Sequence, residues 1–155
     1  MTQKSAFILH KIIMNQASGV DDVRVNVFKE WLSRHHNEMP KLTGHSDLEK
    51  QDWKILLTFD DGYQCNYDVV IDLLEQYSIT AIFFVVTDYI GKPGYLTARQ
   101  LKAMSERNFF FGSHTVNHVN CSKLNEEEFT RELQDSKDTI EKIIQKEVIY
   151  FSFPY

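Results

Sequence analysis

Short apolar segments alternate with amphipathic ones along most of the chain. Five segments are rich in β-branched and large apolar residues, and these predict strands. The five segments are residues 6–13, 55–59, 81–86, 109–111 and 148–151. The middle three are uninterrupted apolar runs, which is typical of strands that are buried on both faces of a sheet.

Four segments between these strands predict helices. Apolar residues recur at helical spacing over residues 27–36 and again over residues 69–77. Thr97 and Gln100 form a capping-box signature that begins a third helix. Asn125, followed by three glutamates, begins the fourth, because the helix dipole favours acidic side chains in the first turn.

Strands that alternate with helices predict an α/β fold with a parallel sheet, either a barrel or a doubly wound sheet. The length of 155 residues fits a single domain, residues 1–155. The polar segment 39–52 predicts a loop. In both architectures ligands bind at the carboxyl ends of the strands. Polar residues that directly follow a strand are therefore the first candidates for function.

Charge and composition narrow the classes of partner. The formal net charge is -5 and no Lys/Arg-rich tract is present, so we expect neither a nucleic acid nor an anionic membrane surface as partner. No apolar run approaches the roughly 20 residues of a membrane span. The apolar run near the N-terminus is too short for a signal peptide, which predicts a cytoplasmic protein. A missing upstream segment would instead make the protein secreted or periplasmic.

Two adjacent carboxylates, Asp60 and Asp61, follow the second predicted strand. Two like charges in a low dielectric disfavour joint ionisation, and a bound cation removes that penalty. Adjacent residues of a strand point in different directions, so one aspartate could bind a metal while the other faces a substrate as a base. A solvated turn is the equal alternative, because Asp-Gly is a common turn dipeptide.

Two histidines, His114 and His118, follow the fourth predicted strand. On a helical turn this spacing places both imidazoles on one face, as metal-binding pairs require, although a lone pair more often serves capping or packing. Together with an aspartate they form a common catalytic metal set, which suits zinc or iron. Such a metal lowers the pKa of water and polarises a carbonyl, and a neighbouring carboxylate can accept the proton. The residues therefore predict metal-assisted hydrolysis of a carbonyl substrate.

Three further residues are candidates for substrate contact. His10 ends the first predicted strand, where it either lines the same pocket or packs in the interior. Tyr63 follows the aspartates and either forms a wall of a sugar site or packs over the mouth of a barrel. Pro154 lies just after the fifth predicted strand, at the same expected edge of the sheet.

Three motifs together resemble those of a known family. They are Thr-Phe-Asp-Asp-Gly at residues 58–62, Ser-His-Thr-Val-Asn-His at residues 113–118 and Phe-Pro-Tyr at residues 153–155. They resemble the signature of the polysaccharide deacetylases, the NodB-homology carbohydrate esterases. The first strand, which ends in Leu9-His10, resembles the opening of the biofilm-polysaccharide deacetylase branch. The resemblance covers nearly the whole chain.

This resemblance implies a fold and a set of roles. The fold would be a distorted (β/α) barrel, usually of seven strands. Asp60 would be the general base, and the backbone amide of Tyr155 would help to stabilise the oxyanion. Asp61, His114 and His118 would hold a divalent metal, commonly zinc, with cobalt, nickel or iron as alternatives. The substrate would be a polymer or oligomer that contains N-acetylglucosamine.

The sequence departs from the family pattern in two places. Ser152 stands where many members have an arginine that steadies the base. The sequence also ends within the third motif, so the later motif that supplies the general acid has no counterpart, and five of about seven strands are predicted. We therefore expect the N-terminal portion of a deacetylase domain.

Two alternatives to an active deacetylase stay open. One is a non-catalytic remnant that binds metal or sugar and forms a homo-oligomer through its open barrel edge. The other is a related hydrolase that acts on a formylated lipid sugar or a cyclic imide.

Overall fold

A computed structural model describes residues 4–14, 19–42 and 50–155 of the chain. Its strands are β1 (Ser5–Leu9), β2 (Lys11–Ile13), β3 (Asp22–Arg24), β4 (Ile55–Phe59), β5 (Ala81–Val85), β6 (Phe110–Ser113) and β7 (Tyr150–Phe151). Its α-helices are α1 (Val25–His35), α2 (Ile71–Gln76), α3 (Ala98–Glu106) and α4 (Glu126–Ile144). Strands and helices thus alternate over most of the described chain, as the sequence predicts.

Five strands form one sheet in the order β1-β4-β5-β6-β7, and every neighbouring pair is parallel. The sheet is a curled half-barrel, which confirms the predicted α/β architecture of an incomplete (β/α) barrel. Its register sets Leu9 level with Phe59, and Val85 level with Ser113. Residues that follow β4 and β6 therefore reach the same edge of the sheet.

The two faces of the sheet bury different side chains. On β5, Phe83 and Val85 belong to the large core beneath the helices, whereas Ile82 and Phe84 belong to a smaller cluster on the opposite face. This division explains the uninterrupted apolar runs, because both faces of the central strands are covered. A Cβ at Gly112 would overlap the Phe84 ring, so a glycine is needed where β6 passes this cluster.

The helices begin where local sequence favours them. Thr97 caps α3 and Asn125 caps α4, and both helices have complete capping boxes, as predicted. The helix predicted over residues 69–77 instead begins as a π-helical turn at Asn66–Val70 and continues as α2. The helix predicted over residues 27–36 begins two residues earlier, at Val25.

The first predicted strand is divided at His10 into β1 and β2. β2 leaves the main sheet and pairs in parallel with the short strand β3. The sequence does not predict β3, because a segment of three residues has too little periodicity to be distinguished from a turn. Part of the loop predicted over residues 39–52, residues 43–49, lies outside the described residues.

None of the helices among the described residues combines the length and the apolarity that crossing a bilayer requires. Cys65 and Cys121 are both free thiols, and burial raises the pKa of each.

Candidate active site

β4 ends in a tight turn that buries two carboxylates. The Asp60 amide still donates to the Leu9 carbonyl at 2.8 Å, which continues the sheet by one residue. Asp61 and Gly62 then adopt left-handed conformations, with φ of 69° and 76°. A Cβ at Gly62 would lie 3.3 Å from Cγ1 of Val85, so the turn packs directly on β5. Asp60 and Asp61 are 5% and 8% exposed, so both carboxylates are largely removed from water.

His114 and His118 lie in a loop, and the prediction of a helical turn for this pair is wrong. Thr115 and His118 have φ values of 67° and 56°, which no α-helical turn accommodates. The loop instead bonds to neighbouring backbone, because Thr87 and Asp88 donate to the carbonyls of residues 115 and 116. The His114 amide donates to the Val85 carbonyl at 3.0 Å, so this histidine continues the edge of β6.

The turn and the loop bring three potential metal donors together. Asp61 Oδ1 lies 3.2 Å from His118 Nε2 and 3.5 Å from His114 Nε2. One donor atom from each of the three residues fits within 4.8 Å of the others. His114 Nδ1 lies 2.9 Å from the Ser152 carbonyl, and this hydrogen bond makes Nδ1 the protonated nitrogen and leaves Nε2 free to bind a metal.

These residues fit a divalent cation. Asp61 Oδ1 is buried and has no hydrogen-bond partner among the described residues, which is costly in the absence of a cation. Burial lowers the pKa of His114, so its imidazole is neutral at pH 7, as a metal ligand must be. One carboxylate oxygen and two imidazole nitrogens suit zinc or iron, and they leave positions open for other ligands.

Asp60 lies beside this donor set in a different environment. Its Oδ2 accepts a hydrogen bond from Ser152 Oγ at 3.3 Å and lies 3.8 Å from His114 Nε2. Its Oδ1 is buried and has no hydrogen-bond partner among the described residues. Burial, with a contribution from Asp61, raises the pKa of Asp60 to about 6, although His10 and the Ser152 hydroxyl oppose the shift. A carboxylate with this pKa is well matched to proton transfer near neutral pH.

Most of the predicted site residues line one cavity of about 480 Å³. Those in its lining are His10, Asp60, Asp61, Tyr63, His114, His118 and Tyr155. Pro154 lines an adjacent groove of about 700 Å³ instead, and Tyr155 lines both. Asp21 and Asp22 also line the cavity. No sequence pattern marks them as site residues, because only the pairing of β2 with β3 brings them there.

Aromatic rings border the cavity. The Tyr63 ring stacks on Tyr95 with centroids 5.0 Å apart, and Lys11 Nζ lies 4.3 Å from the Tyr63 ring centroid. Tyr155 is 87% exposed, and its ring centroid lies 5.0 Å from that of His118. Flat rings that are open to solvent, as these are in part or almost wholly, can pack against the apolar faces of sugar rings.

Comparison with known structures identifies the fold. The chain superposes on the Streptococcus pyogenes deacetylase PplD with a TM-score of 0.86, at 23% identity, over 99% of this chain and 74% of that one. It superposes on BC0361, a polysaccharide deacetylase from Bacillus cereus, with a TM-score of 0.84, at 24% identity, over 99% of this chain and 51% of that one. At these identities the likeness concerns the fold.

Sequence comparison gives relatives of the same kind. The chain is 33% identical over 97 residues to a peptidoglycan-N-acetylglucosamine deacetylase of Bacillus cereus, over 62% of this chain and 44% of that protein. It is 29% identical over 152 residues to YxkH of Bacillus subtilis, a protein named for polysaccharide deacetylation, over 94% of this chain and 54% of that protein. The chain thus spans about half the length of the curated relatives it matches. The family model described as polysaccharide deacetylase matches residues 47–155. Because that match covers both the aspartate and the histidine motifs, the chain belongs to the polysaccharide deacetylase family.

Proposed function

We propose that this chain forms the metal-and-base part of a hydrolase that removes N-acetyl groups from an N-acetylglucosamine-type polysaccharide or oligosaccharide. One observation carries the proposal: a potential ligand atom from each of Asp61, His114 and His118 lies within 4.8 Å of the others, beside the buried Asp60. The name of the Bacillus cereus relative, a peptidoglycan-N-acetylglucosamine deacetylase, supports the choice of an N-acetylated amino sugar.

In this proposal Asp61, His114 and His118 hold a divalent cation, most readily zinc. When bound, such a cation polarises an amide carbonyl and acidifies water. The orphaned Oδ1 of Asp61 and the neutral imidazole of His114 support this assignment. Cobalt, nickel and iron accept the same donors, so the metal's identity follows from measurement and not from the ligand set.

Asp60 acts as the general base. Its carboxylate accepts a proton from the water that attacks the amide carbon, and the amine takes up a proton as the C–N bond breaks. The raised pKa of Asp60, about 6, keeps it basic enough to accept that proton and still ionised at pH 7. The Ser152 hydroxyl and carbonyl contact Asp60 and His114 respectively, so one residue orients both sides of the site.

Substrate contacts come from the rim of the cavity. The backbone amide of Tyr155 stabilises the oxyanion of the tetrahedral intermediate, as in the family pattern, and preorganised donors of this kind contribute substantially to catalysis. Tyr63 and His10 line the same cavity and contact the sugar. Pro154 sits in the adjoining groove, where it shapes the path of a longer substrate.

Metal stoichiometry is the first test. We expect about one Zn²⁺ per chain for the wild type and none for His114→Ala, with acetate released from chito-oligosaccharides only by the metal-loaded wild type. Metal binding without acetate release would favour the non-catalytic remnant. Absence of metal from both proteins would contradict the assignment of Asp61, His114 and His118.

One observation favours the remnant as a second candidate. β1 is a terminal strand of the sheet, and its Phe7 and Ile8 are 44% and 62% exposed. Exposed apolar side chains on an edge strand favour association with another chain or segment. Sedimentation velocity over a range of concentrations tests this candidate, since a homo-oligomer gives a mass that rises with concentration.

A further inference from the structure

A carboxylate outside the proposed metal-binding motif accepts hydrogen bonds from the loop that contains His114 and His118. Glu132 lies in the second turn of α4, and its Oε2 accepts hydrogen bonds from the amides of Val116 and Asn117, at 2.8 and 3.0 Å. Its Oε1 accepts from Asn117 Nδ2 at 2.6 Å. A single side chain therefore binds three donors within the four residues that follow His114.

We propose that Glu132 is a positioning residue that holds loop 114–118 in the conformation that binds metal. The inference rests on the proposed function, because it assumes that His114 and His118 are ligands. Glu132 touches neither the metal donors nor the cavity, so its effect on metal binding would pass through the loop backbone.

The loop needs such support because its conformation is unfavourable by itself. Thr115 and His118 both have positive φ, a conformation that residues with a β-carbon rarely adopt. Thr115 is β-branched, and it is therefore especially poorly suited to that region. Conformations of this kind persist only where surrounding contacts fix them.

The contacts on the two sides of the loop are complementary. On the side of β5, the amides of Thr87 and Asp88 donate to the carbonyls of Thr115 and Val116. On the side of α4, Glu132 accepts from the amides that follow. The loop carbonyls are thus hydrogen-bonded on one side and the loop amides on the other. Glu132 supplies the acceptor for these amides.

α4 is itself anchored to the beginning of the loop. Ser136 lies one turn after Glu132 and is fully buried, and its Oγ lies 2.5 Å from Ser113 Oγ. The Thr115 amide donates to the same Ser113 hydroxyl at 3.2 Å. Ser136 therefore fixes the distance between helix and loop, and Glu132 is held where its carboxylate meets the two amides.

Substitutions at Glu132 separate charge from hydrogen bonding. Glu132→Gln keeps one oxygen, which can accept from the two backbone amides, and its NH₂ group can donate to the Asn117 oxygen after that amide flips. Glu132→Ala removes every acceptor, so the amides of Val116 and Asn117 lose the hydrogen bonds that tie the loop to α4. Glu127→Ala, in the exposed first turn of the same helix, removes an equal charge and is the matched control.

Cobalt binding, followed by its visible absorption, tests the inference on the 155-residue chain. We expect Glu132→Ala to weaken Co²⁺ binding by roughly 10- to 100-fold, as partners behind metal ligands typically do. Glu132→Gln should restore most of that loss, and Glu127→Ala should match the wild type. Binding by Glu132→Ala within twofold of the wild type would overturn the inference.

Hydrogen exchange on the metal-free chain provides a second readout. Glu132→Ala should speed exchange at the amides of Val116 and Asn117, whereas Glu127→Ala should not. If no variant, including the wild type, binds Co²⁺, the proposed function fails. Exchange still decides whether Glu132 holds the loop, and unchanged exchange in Glu132→Ala would overturn that role.

Exchange of the carboxylate and the amide between positions 132 and 117 provides a further test that does not depend on the folding of Glu132→Ala. Asn117→Asp places a second carboxylate against Glu132 and removes the donor, so Co²⁺ binding should weaken. Adding Glu132→Gln restores a donor opposite Asp and should recover binding in the double variant. A double variant that binds Co²⁺ no better than Asn117→Asp would contradict the inference.

Discussion

The two halves of the candidate site are built in opposite ways. The aspartate turn, residues 60–62, leaves Oδ1 of Asp60 and Oδ1 of Asp61 buried without hydrogen-bond partners among the described residues. The histidine loop, residues 114–118, has its backbone bonded on one side to Thr87 and Asp88 and on the other to Glu132.

This difference fits the roles that we propose for the two halves. A base and an anionic ligand are reactive because their charge is not neutralised by other groups, so unpaired oxygens suit the aspartate turn. Two imidazoles must be held at a fixed separation before a metal arrives, so the histidine loop needs many contacts. The aspartate turn thus has two carboxylate oxygens without a hydrogen-bond partner among the described residues, whereas the backbone of the histidine loop is hydrogen-bonded on both sides.

Removal of the proposed base, Asp60, should have the largest effect. Asp60→Asn keeps the shape of the side chain but cannot accept a proton, so we expect acetate release to fall by about 10²- to 10⁴-fold. Zinc affinity should change little, because Asp61 and the histidines remain. Acetate assays beside zinc titration check both expectations, and retained turnover would show that Asp60 is not the base.

Removal of a proposed metal ligand should act first on zinc affinity. His114→Ala deletes a donor that is almost fully buried, so zinc affinity should fall by at least about 100-fold, beyond the effect of a lost outer partner. His36→Ala is the control, since the His36 ring packs against Tyr77 and does not line the cavity. Equal zinc affinities for the two variants would contradict the assignment of His114.

The burial of Asp60 should appear as a pH dependence of stability in the metal-free chain. Its pKa rises from 3.8 to about 6 on folding, so the folded state retains a proton that the unfolded state has lost between these values. Stability should therefore fall as pH rises through this window, by about 3 kcal/mol at most. Asp60→Asn lacks this dependence. In urea unfolding, Asp60→Asn should have a higher free energy of unfolding than the wild type at pH 8 but not at pH 4. An equal difference in free energy at both pH values would contradict the pKa shift.

The aspartate turn should also be sensitive to its backbone. Gly62→Ala imposes a β-carbon on a residue with φ of 76° and brings it 3.3 Å from Val85. Gly91→Ala at φ of 81° has no neighbouring atom within 4 Å and costs only the left-handed conformation, about 1 kcal/mol. We expect Gly62→Ala to lose about 1 kcal/mol more than Gly91→Ala in the free energy of unfolding, because of crowding. Equal losses of unfolding free energy in the two variants would contradict the crowding and show that the Val85 side chain moves to make room.

The smallest effect should come from Ser152, which touches both halves. Ser152→Ala removes the hydroxyl that donates to Asp60 but keeps the carbonyl that accepts from His114. We expect a several-fold decrease in kcat, consistent with loss of one hydrogen bond worth about 1 kcal/mol, and unchanged zinc affinity. A change in zinc affinity would show that the hydroxyl also supports the histidine.

Sequence patterns predicted the sheet well because strand signals are local. The uninterrupted run at residues 55–59 became β4 without a change of boundary, and the capping residues Thr97 and Asn125 begin α3 and α4. The division at His10 was missed, because the apolar run continues through the point where β2 leaves the sheet. Hydropathy does not record a change of pairing partner.

The histidine loop shows where local reasoning failed. A spacing of four residues between His114 and His118 fits one face of a helix, yet the loop reaches the same juxtaposition through two left-handed residues. Glu132 lies between the second and third motifs, and no sequence pattern marks it. Two of its three hydrogen bonds are to backbone amides, which every non-proline residue has. From the sequence, a glutamate on an amphipathic helix that binds a neighbouring loop looks the same as one that only contacts water. The packing of the helix decides between the two.

The sequence by itself predicted which residues meet, because the carboxyl ends of parallel strands lie at one edge in both a barrel and a doubly wound sheet. It therefore predicted that Asp60, Asp61, His114 and His118 lie at the same edge of the sheet. The tertiary structure alone decided their state: the pKa of Asp60, the free Nε2 of His114 and the hold of Glu132 on the loop. These properties depend on burial and on hydrogen bonds between atoms distant in sequence, and neither periodicity nor spacing encodes them.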